Sequence, residues 1–341
     1  MHIRRKTLDD LLRVVFTQIR RYGVQVEPYP TKGPNKELFG VVLELTQPLA
    51  RVSRTESRGT IFSALGELFW YLSGSNNHSF IKYYIPKAYE PEENTDHVWS
   101  GYGERIFNRS GPNQIKEVIS LLKKKSSSRR AVAQIYGSDD LFGSYKDVPC
   151  TCTMQFVVRK GFLHMYVNMR SNDAYLGLPH DIFAFTMIQE LIARDLGVHL
   201  GQYKHAIGSL HLYDCDHDKV NKFMEEDWQA NLKMPPMPSG EQWSSIETVL
   251  EVEDRIRGGE NVQIEELQID DYWKDISRLF RIFHLTKKKT DRENLKEVVR
   301  VRQRMKSKFY DQYIRNRSER LHSPQQLVLD LKTLNEEDIE R

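Results

Sequence analysis

Long apolar runs are missing from this sequence. No stretch approaches the roughly 18 apolar residues that a membrane-spanning helix needs, and the N-terminal residues lack the apolar segment of a signal peptide. Cysteine is also scarce: Cys150, Cys152 and Cys215 are too few for a disulfide framework. The Cys-x-Cys pair has no second pair of ligands nearby, so its spacing indicates no metal site. These absences predict a soluble, cytoplasmic protein in a reducing compartment.

An excess of charge of one sign is missing as well. The 50 Lys and Arg residues against 47 Asp and Glu residues give a formal net charge of +3. A chain without a strong basic field is not expected to bind nucleic acid or a membrane surface, so any anion site must be local. With 341 residues, 39% of them hydrophobic, the chain is long enough to bury a sizeable core in one large domain or two small ones.

Apolar periodicity predicts a mixture of helices and strands in the first 240 residues. The predicted helices cover 7–22, 60–72, 113–124, 181–196 and 217–230, and the predicted strands cover 38–45, 131–136, 153–158, 162–169 and 203–213. Beyond about residue 240, helical periodicity with heavy charge covers 246–257, 264–285 and 294–317. The sequence therefore predicts an α+β catalytic domain over 1–240 and a helical C-terminal extension over 241–341.

The candidate reactive and anion-binding residues lie mainly in two neighbouring stretches, 147–156 and 169–182. A proline-flanked cysteine, Cys150, opens one predicted strand, and the pair Arg170 and Ser171 ends the next. A thiolate and an anion-binding group can then share one pocket, as covalent catalysis on a phosphorylated substrate requires. In an extended strand Cys150 and Cys152 share a face, so both thiols are candidates to approach that pocket.

The order of these motifs resembles the thymidylate synthase family. The resemblance lies in a Pro-Cys motif ending in Gln-Phe at 149–156 and in Arg-Ser-x-Asp-x-x-Leu-Gly-x-Pro at 170–179. Further motifs are Gly-Glu-Leu-Phe-Trp-Tyr-Leu at 66–72, Gly-Tyr-Gly at 101–103, Ser-Arg-Arg at 128–130 and His-Leu-Tyr at 211–213. Together they span roughly residues 38–220. The resemblance implies the family's fold, a mixed sheet packed by helices.

The resemblance also implies catalytic roles. Cys150 corresponds to the nucleophile that adds to C6 of the pyrimidine, which makes C5 able to attack a one-carbon donor. Glu67 corresponds to the family's proton-moving glutamate, and Tyr102 to an active-site tyrosine. Asp173 matches the aspartate that contacts folate, so 5,10-methylenetetrahydrofolate is the expected co-substrate. Judged without the resemblance, Glu67 would more often be a satisfied interior carboxylate or a surface charge.

Substrate contacts follow from the same resemblance. Arg170 and Ser171 would hold the phosphate of a pyrimidine nucleoside monophosphate, and His211 and Tyr213 would bind its sugar hydroxyl. In the family, the arginines at 129–130 cross a homodimer interface to the partner's phosphate site, so the chain is expected to be a homodimer with shared sites. An Arg-Arg pair by itself would more often be a solvent-exposed charge.

The prediction of the base and that of the product each depend on only a few residues. The family's uracil-recognising asparagine falls on Asp181, a change that marks the cytidylate hydroxymethylases of this fold. An ionised carboxylate only accepts hydrogen bonds, so it suits the N4 amino group and a protonated N3 of cytosine. Judged alone, Asp181 could simply cap a helix that begins there.

Three departures from the methylating pattern indicate a hydroxymethyl product. Position 151 is a threonine, no tryptophan lies between Tyr83 and Glu93, and the family's C-terminal closure is not recognisable after Leu321. The sequence thus predicts hydroxymethylation of CMP or dCMP at C5. A divergent thymidylate synthase that methylates dUMP is one alternative, and an inactive nucleotide- or RNA-binding relative is another.

Overall fold

The computed structural model describes residues 1–30, 32–108, 113–287 and 292–319. The chain divides into two compact units, Met1–Gln242 and Trp243–Arg341. Across the described residues, no helix is both long enough and apolar enough to cross a membrane. The residues after Leu321, where the family's C-terminal closure is not recognisable, lie outside the described part of the chain.

The first unit is built on one mixed sheet. Its strands are β1 (His2–Arg5), β2 (Val24–Gln25), β3 (Asn35–Leu45), β4 (Val132–Gln134), β5 (Thr151–Arg159), β6 (Phe162–Asp173) and β7 (His199–Tyr213). Their order across the sheet is β1-β3-β7-β6-β5-β4, with β2 paired to β3. β1 runs parallel to β3 and β6 runs parallel to β7, while the other pairs are antiparallel. The predicted α+β class with a mixed sheet is confirmed.

Helices pack around this sheet. They are α1 (Leu8–Tyr22), α2 (Ile61–Leu72), α3 (His78–Tyr84), α4 (Tyr102–Phe107), α5 (Gln114–Lys124), α6 (Asp139–Phe142), α7 (Gly177–Asp195) and α8 (His217–Glu225). Thr7 caps α1, because its hydroxyl accepts a hydrogen bond from the backbone N–H of Asp10 at 3.1 Å. The prediction of a helix from 217 to 230 is too long, since α8 ends at Glu225.

The central helix α7 is buried on almost every side, and it packs against α2, β6 and β7. It begins at Gly177, four residues earlier than the sequence predicts. Asp181 therefore lies in the second turn of the helix, where its side chain cannot serve as the N-terminal cap. The capping explanation of Asp181 is wrong, and another reason is needed for a carboxyl that is only 8% exposed.

Strands β5 and β6 form the predicted hairpin, with Lys160 and Gly161 in its two-residue turn at positive φ. The pairing is irregular at the start of β5, where a register shift falls between Thr151 and Thr153. A bulge of this kind breaks the alternation of side chains between the two faces. Cys150 and Cys152 consequently do not share one environment, contrary to the prediction from an ideal strand.

The second unit is helical in its described part. It contains α9 (Trp243–Arg257), α10 (Asp271–Leu285), α11 (Arg292–Gln303) and α12 (Asp311–Glu319). Two of the predicted helices are wrong in extent: the stretch 264–285 becomes helical as α10 only at Asp271, and the stretch 294–317 is split into α11 and α12. The side chain of Asp275 causes part of this break, because it accepts the backbone N–H groups of Lys306 and Ser307 at 3.0 and 2.8 Å.

Candidate active site

One cavity of about 550 Å³ in the first unit is lined by residues of the stretches 147–156 and 169–182. It lies where the start of β5, the end of β6, α2, the start of α7 and the segment 85–102 meet. Its lining residues are Lys32, Glu67, Ile85, Pro86, Lys87, Ala88, Tyr89, Ser100, Tyr102, Asp147, Val148, Cys150, Met169, Ser171, Asn172, Asp173, Leu176, Gly177, His180 and Asp181. All four residues predicted as catalytic, together with Ser171 and Asp173, are therefore brought together.

Cys150 is held in this cavity by its neighbour in the sheet, Arg170. The backbone N–H of Arg170 donates to the carbonyl oxygen of Cys150 at 2.9 Å. The guanidinium donates to the carbonyl oxygens of Val148 and Pro149, each at 2.9 Å. Arg170 thus fixes the backbone that carries the thiol, and it does not itself line the cavity.

The thiol is not activated in the isolated chain. Burial raises the pKa of Cys150 to about 11, and the nearby carboxyls of Asp181 and Asp147 raise it further, while Arg170 and Lys32 act in the opposite direction. Arg170 favours the ionised thiol, but burial outweighs the effect of this one guanidinium. Cys152 does not line the cavity, so Cys150 is the nucleophile candidate that the geometry supports.

Glu67 lies on α2 and is only 6% exposed. Its Oε1 accepts hydrogen bonds from two tyrosine hydroxyls, that of Tyr71 at 2.9 Å and that of Tyr89. Its Oε2 is enclosed and has no hydrogen-bond partner among the described residues. Two donors on one oxygen fix the carboxyl and leave the other oxygen available, as a proton-moving group requires.

Tyr102, at the start of α4, completes the floor near the nucleophile. Its hydroxyl oxygen accepts the backbone N–H of Thr151 at 3.1 Å. Burial raises the pKa of Tyr102 well above its usual value, so the hydroxyl keeps its proton. Tyr102 can therefore donate a hydrogen bond into the cavity while it accepts one from the strand that follows Cys150.

Asp181 occupies a site that favours its neutral form. Burial raises its pKa well above the usual value, and the carboxyls of Glu67 and Asp173 add to the effect, whereas a side-chain hydrogen bond with Asn172 opposes it. Asn172 Oδ1 is enclosed and has no donor among the described residues. The raised pKa favours the protonated carboxyl, and in that form Asp181 has both a donor and an acceptor.

The other predicted substrate contacts lie outside the cavity. His211 is next to its wall, since His211 Nδ1 is 3.5 Å from Ser171 Oγ, and its ring packs edge-on against Tyr213. Arg129 and Arg130 are exposed and line no part of their own chain's cavity. Their role in a partner's site, and the sugar contacts of His211 and Tyr213, stay predictions.

Several cavity residues had no assigned role in the sequence analysis. Ser100 and Asp147 are hydrogen-bonded to each other at 2.7 Å, and His180 Nε2 lies 3.0 Å from the hydroxyl oxygen of Ser63. Tyr89 and Ser100 belong to an irregular segment without periodicity, so no pattern in the sequence indicates which of its side chains turn inward. Asp147 is the exception, because it lies three residues before Cys150 in the motif itself.

Comparison with known proteins agrees with this geometry. Residues 37–276 match the sequence profile of the family described as thymidylate synthase. The chain belongs to the thymidylate synthase family. The match extends past Gln242 into the second unit, and it includes every residue that lines the cavity except Lys32. Enzymes of this family use methylenetetrahydrofolate as the co-substrate for one-carbon transfer.

The similar proteins include deoxyuridylate hydroxymethyltransferases and thymidylate synthases. A deoxyuridylate hydroxymethyltransferase of Bacillus phage SP01 is 29% identical over 62% of this chain and 59% of its own length. One of Delftia phage PhiW-14 is 30% identical over 57% of this chain and 58% of its length. A thymidylate synthase of Bacillus phage phi3T is 34% identical over 37% of this chain and 45% of its length. The chain thus matches less than two thirds of each of these relatives.

Among solved structures, thermostable thymidylate synthase A from Bacillus subtilis aligns with a TM-score of 0.56 at 23% sequence identity. The alignment covers 66% of this chain and 87% of that protein. At this identity the likeness establishes the fold, and the arrangement of the cavity residues must support the function.

Proposed function

We propose that this chain transfers a one-carbon unit to C5 of a pyrimidine nucleoside monophosphate and releases the 5-hydroxymethyl nucleotide. Methylenetetrahydrofolate, when bound, supplies the one-carbon unit at the oxidation level of formaldehyde. The cavity suits such a molecule: Ile85, Pro86 and Leu176 offer apolar surface for a flat ring, and Asp173 offers a carboxyl beside them. Asp173 Oδ1 already accepts the backbone N–H groups of Tyr175 and Leu176, which orients this carboxyl.

The chain's own residues provide the covalent step. Cys150 Sγ would add to C6 of the base, and the resulting electron density at C5 makes that carbon nucleophilic. Because the thiol has a pKa of about 11 in the isolated chain, it needs further positive charge nearby to ionise. The exposed Arg129 and Arg130 of a second copy would supply that charge, so we propose a homodimer with shared phosphate sites.

The observation that carries the choice of product is that no tryptophan lines the cavity among the described residues. Lys87, Tyr89, Ser100 and Asp147 place polar groups in a lining that is otherwise largely apolar. Such groups can hold a water molecule, whereas reduction of the one-carbon unit to a methyl group requires that water be excluded. Hydroxymethylation is therefore favoured over methylation, in agreement with the names of the two phage hydroxymethyltransferases.

We infer uracil as the first candidate base. The neutral carboxyl of Asp181 can accept a hydrogen bond from N3–H and donate one to O4, as the amide of asparagine would. The raised pKa of this buried carboxyl favours its neutral form and so weakens the argument for cytosine from an ionised Asp181. Two relatives that bear the name deoxyuridylate hydroxymethyltransferase add support for dUMP.

Cytosine stays a second candidate, because a carboxyl stands at position 181 where the family has an asparagine. A neutral carboxyl can also donate to N3 of cytosine and accept from its N4 amino group, and an ionised one fits cytosine protonated at N3. CMP and dCMP therefore belong in the same experiment.

The test is incubation of the purified chain with methylenetetrahydrofolate and, separately, dUMP, UMP, dCMP and CMP. Mass spectrometry of the nucleotide product should detect a 5-hydroxymethyl group on one of them, with dUMP as the expected substrate. Absorbance gives a second readout, because methylation oxidises the folate to dihydrofolate and hydroxymethylation does not. A methylated product with dihydrofolate would contradict the proposal, and so would the absence of any product in the presence of a verified homodimer.

A further inference from the structure

Besides Glu67, Asp173 and Asp181, one more carboxyl lines the candidate active site. Asp147 lies three residues before Cys150 and lines the same cavity. Its Oδ2 accepts a hydrogen bond of 2.7 Å from the hydroxyl of Ser100, which also lines the cavity and is 2% exposed. Neither residue is needed to explain the covalent step, so their placement beside the thiol calls for a separate function.

The position of this carboxyl relative to the thiol is fixed by the backbone. Arg170 donates three hydrogen bonds to the carbonyl oxygens of Val148, Pro149 and Cys150, all at 2.9 Å. The backbone from Val148 to Cys150 is therefore held in place, and Asp147 comes directly before it. A group carried on such a segment is positioned well enough to act on an atom of a substrate bound to Cys150.

The surroundings of Asp147 change the pKa of its carboxyl. Burial raises its pKa, and Glu90 raises it further, while the Ser100 hydroxyl and the cations of Lys32 and Arg170 lower it. The net effect is upward, which makes the ionised carboxylate a stronger base than an ordinary aspartate. The negative charge of Asp147 also acts on Cys150, because it raises the pKa of the thiol.

We propose that Asp147, oriented by Ser100, is the general base for the water that adds to the one-carbon unit. The inference rests on the proposed function. In this step a nucleotide bound to Cys150 through C6 carries an exocyclic methylene group at C5. The water oxygen bonds to that carbon, its proton passes to Asp147, and the electron pair of the carbon–carbon double bond moves into the ring.

The second half of the step releases the product. The electron pair returns from the ring to form the C5–C6 double bond, the bond between C6 and Sγ breaks, and the thiolate of Cys150 leaves. The proton on Asp147 is then free to pass to the thiolate. One water is consumed and nothing is oxidised or reduced. Glu67 is left for the proton at C5, which must be removed before the methylene group can form.

The experiment compares single-turnover reactions of the wild-type chain and Asp147→Asn, with the nucleotide on which the wild type acts. The expected result is a loss of hydroxymethyl product of about 10²- to 10⁴-fold, the usual contribution of a general base. The covalent complex of Cys150 with the nucleotide should accumulate, and intact-protein mass spectrometry detects it. Accumulation also demonstrates that the variant is folded and binds its substrates.

A milder variant tests the role of Ser100. Its hydroxyl favours the ionised form of Asp147, so Ser100→Ala should raise the pKa of Asp147 and move the acidic limb of the kcat profile to higher pH. Glu93→Gln is the matched control, because this neighbouring carboxylate is 80% exposed and lies outside the cavity. It should leave the rate and the pH profile unchanged.

The outcomes separate this inference from the proposed function. If the wild type makes no hydroxymethyl nucleotide, both are overturned. If the wild type makes it and Asp147→Asn does so at an equal rate, or loses it without accumulating the covalent complex, only the assignment of Asp147 is overturned. An acidic limb that stays in place or moves to lower pH in Ser100→Ala would overturn it too.

Discussion

The cavity has two walls of different construction. One is built from regular elements: Cys150 at the start of β5, Ser171 and Asp173 at the end of β6, and Asp181 inside α7. The other comes mainly from the irregular segment 85–100, with Tyr89 and Ser100 turned inward. The regular wall carries the groups expected to bind and attack the nucleotide. The irregular wall carries the groups that we propose to control the fate of the one-carbon unit.

The two walls should affect the reaction differently, the first its occurrence and the second its rate and product. Hydrogen bonds of the sheet fix the regular wall, so its side chains keep their positions as long as the fold is kept. The irregular wall depends on single contacts, such as the hydroxyl of Tyr89 on Glu67 and that of Ser100 on Asp147. Loss of the nucleophile from the first wall should abolish the reaction, whereas a change in the second wall should slow it or redirect it.

The largest effect is expected at the nucleophile of the regular wall. Cys150→Ala should reduce turnover by about 10⁴-fold or more, because no other described thiol lines the cavity. Cys152→Ala is the matched control and should stay within about twofold of the wild type. Product formation measured by mass spectrometry checks both variants. Equal inactivation of the two would contradict the assignment, and thermal unfolding should reveal little loss of stability in either.

The next largest effect tests whether the regular wall is completed by a second chain. Arg129→Ala combined with Arg130→Ala should lower kcat/KM by about 10²-fold or more, since each charge-assisted hydrogen bond is worth about 1.5–3 kcal/mol. Mixing this variant with Cys150→Ala should restore part of the activity, because one site of the mixed dimer has both groups intact. Absence of recovery after verified subunit exchange would contradict shared sites.

A smaller effect is expected in the irregular wall at Tyr89. Tyr89→Phe removes one of the two donors on Glu67 Oε1 and keeps the ring that packs edge-on against Trp70 at 4.9 Å between centroids. One hydrogen bond to a charged group is worth about 1.5 kcal/mol or more, so kcat should fall about tenfold with KM nearly unchanged. Tyr71→Phe, which removes the other donor, is the matched comparison. A change in KM alone would indicate a role in binding.

The smallest effect on rate, and the most informative about the base, is expected for Asp181→Asn. With uracil nucleotides the amide replaces the neutral carboxyl, so kcat/KM near pH 7 should change by less than about tenfold. The wild type needs the protonated acid and should lose activity as pH rises through the raised pKa of Asp181, whereas the variant should not. A large loss for cytosine nucleotides with a gain for uracil nucleotides would instead favour cytosine as the native base.

Particular residues show which features of the fold and the site were predictable from the sequence. The motif around Cys150, the hairpin β5–β6 and the apolar surface of α7 were predictable, because each follows from a local pattern or from spacing along the chain. The bulge that separates Cys152 from Cys150 was not predictable, since it depends on how β5 pairs with its neighbours. The start of α7 at Gly177 was missed for a related reason, as packing extends that helix beyond its apolar pattern.

The sequence by itself determined the family and the mixed sheet with its helices, and it predicted the nucleophile. Only the tertiary structure decided the protonation of the groups around that nucleophile. Burial favours the protonated forms of Cys150 and Asp181, and no pattern of residues measures burial. Tertiary structure alone also brought Tyr89 to Glu67 and Ser100 to Asp147, because residues 22 and 47 positions apart meet only when the sheet, the helices and the irregular segment fold around one cavity.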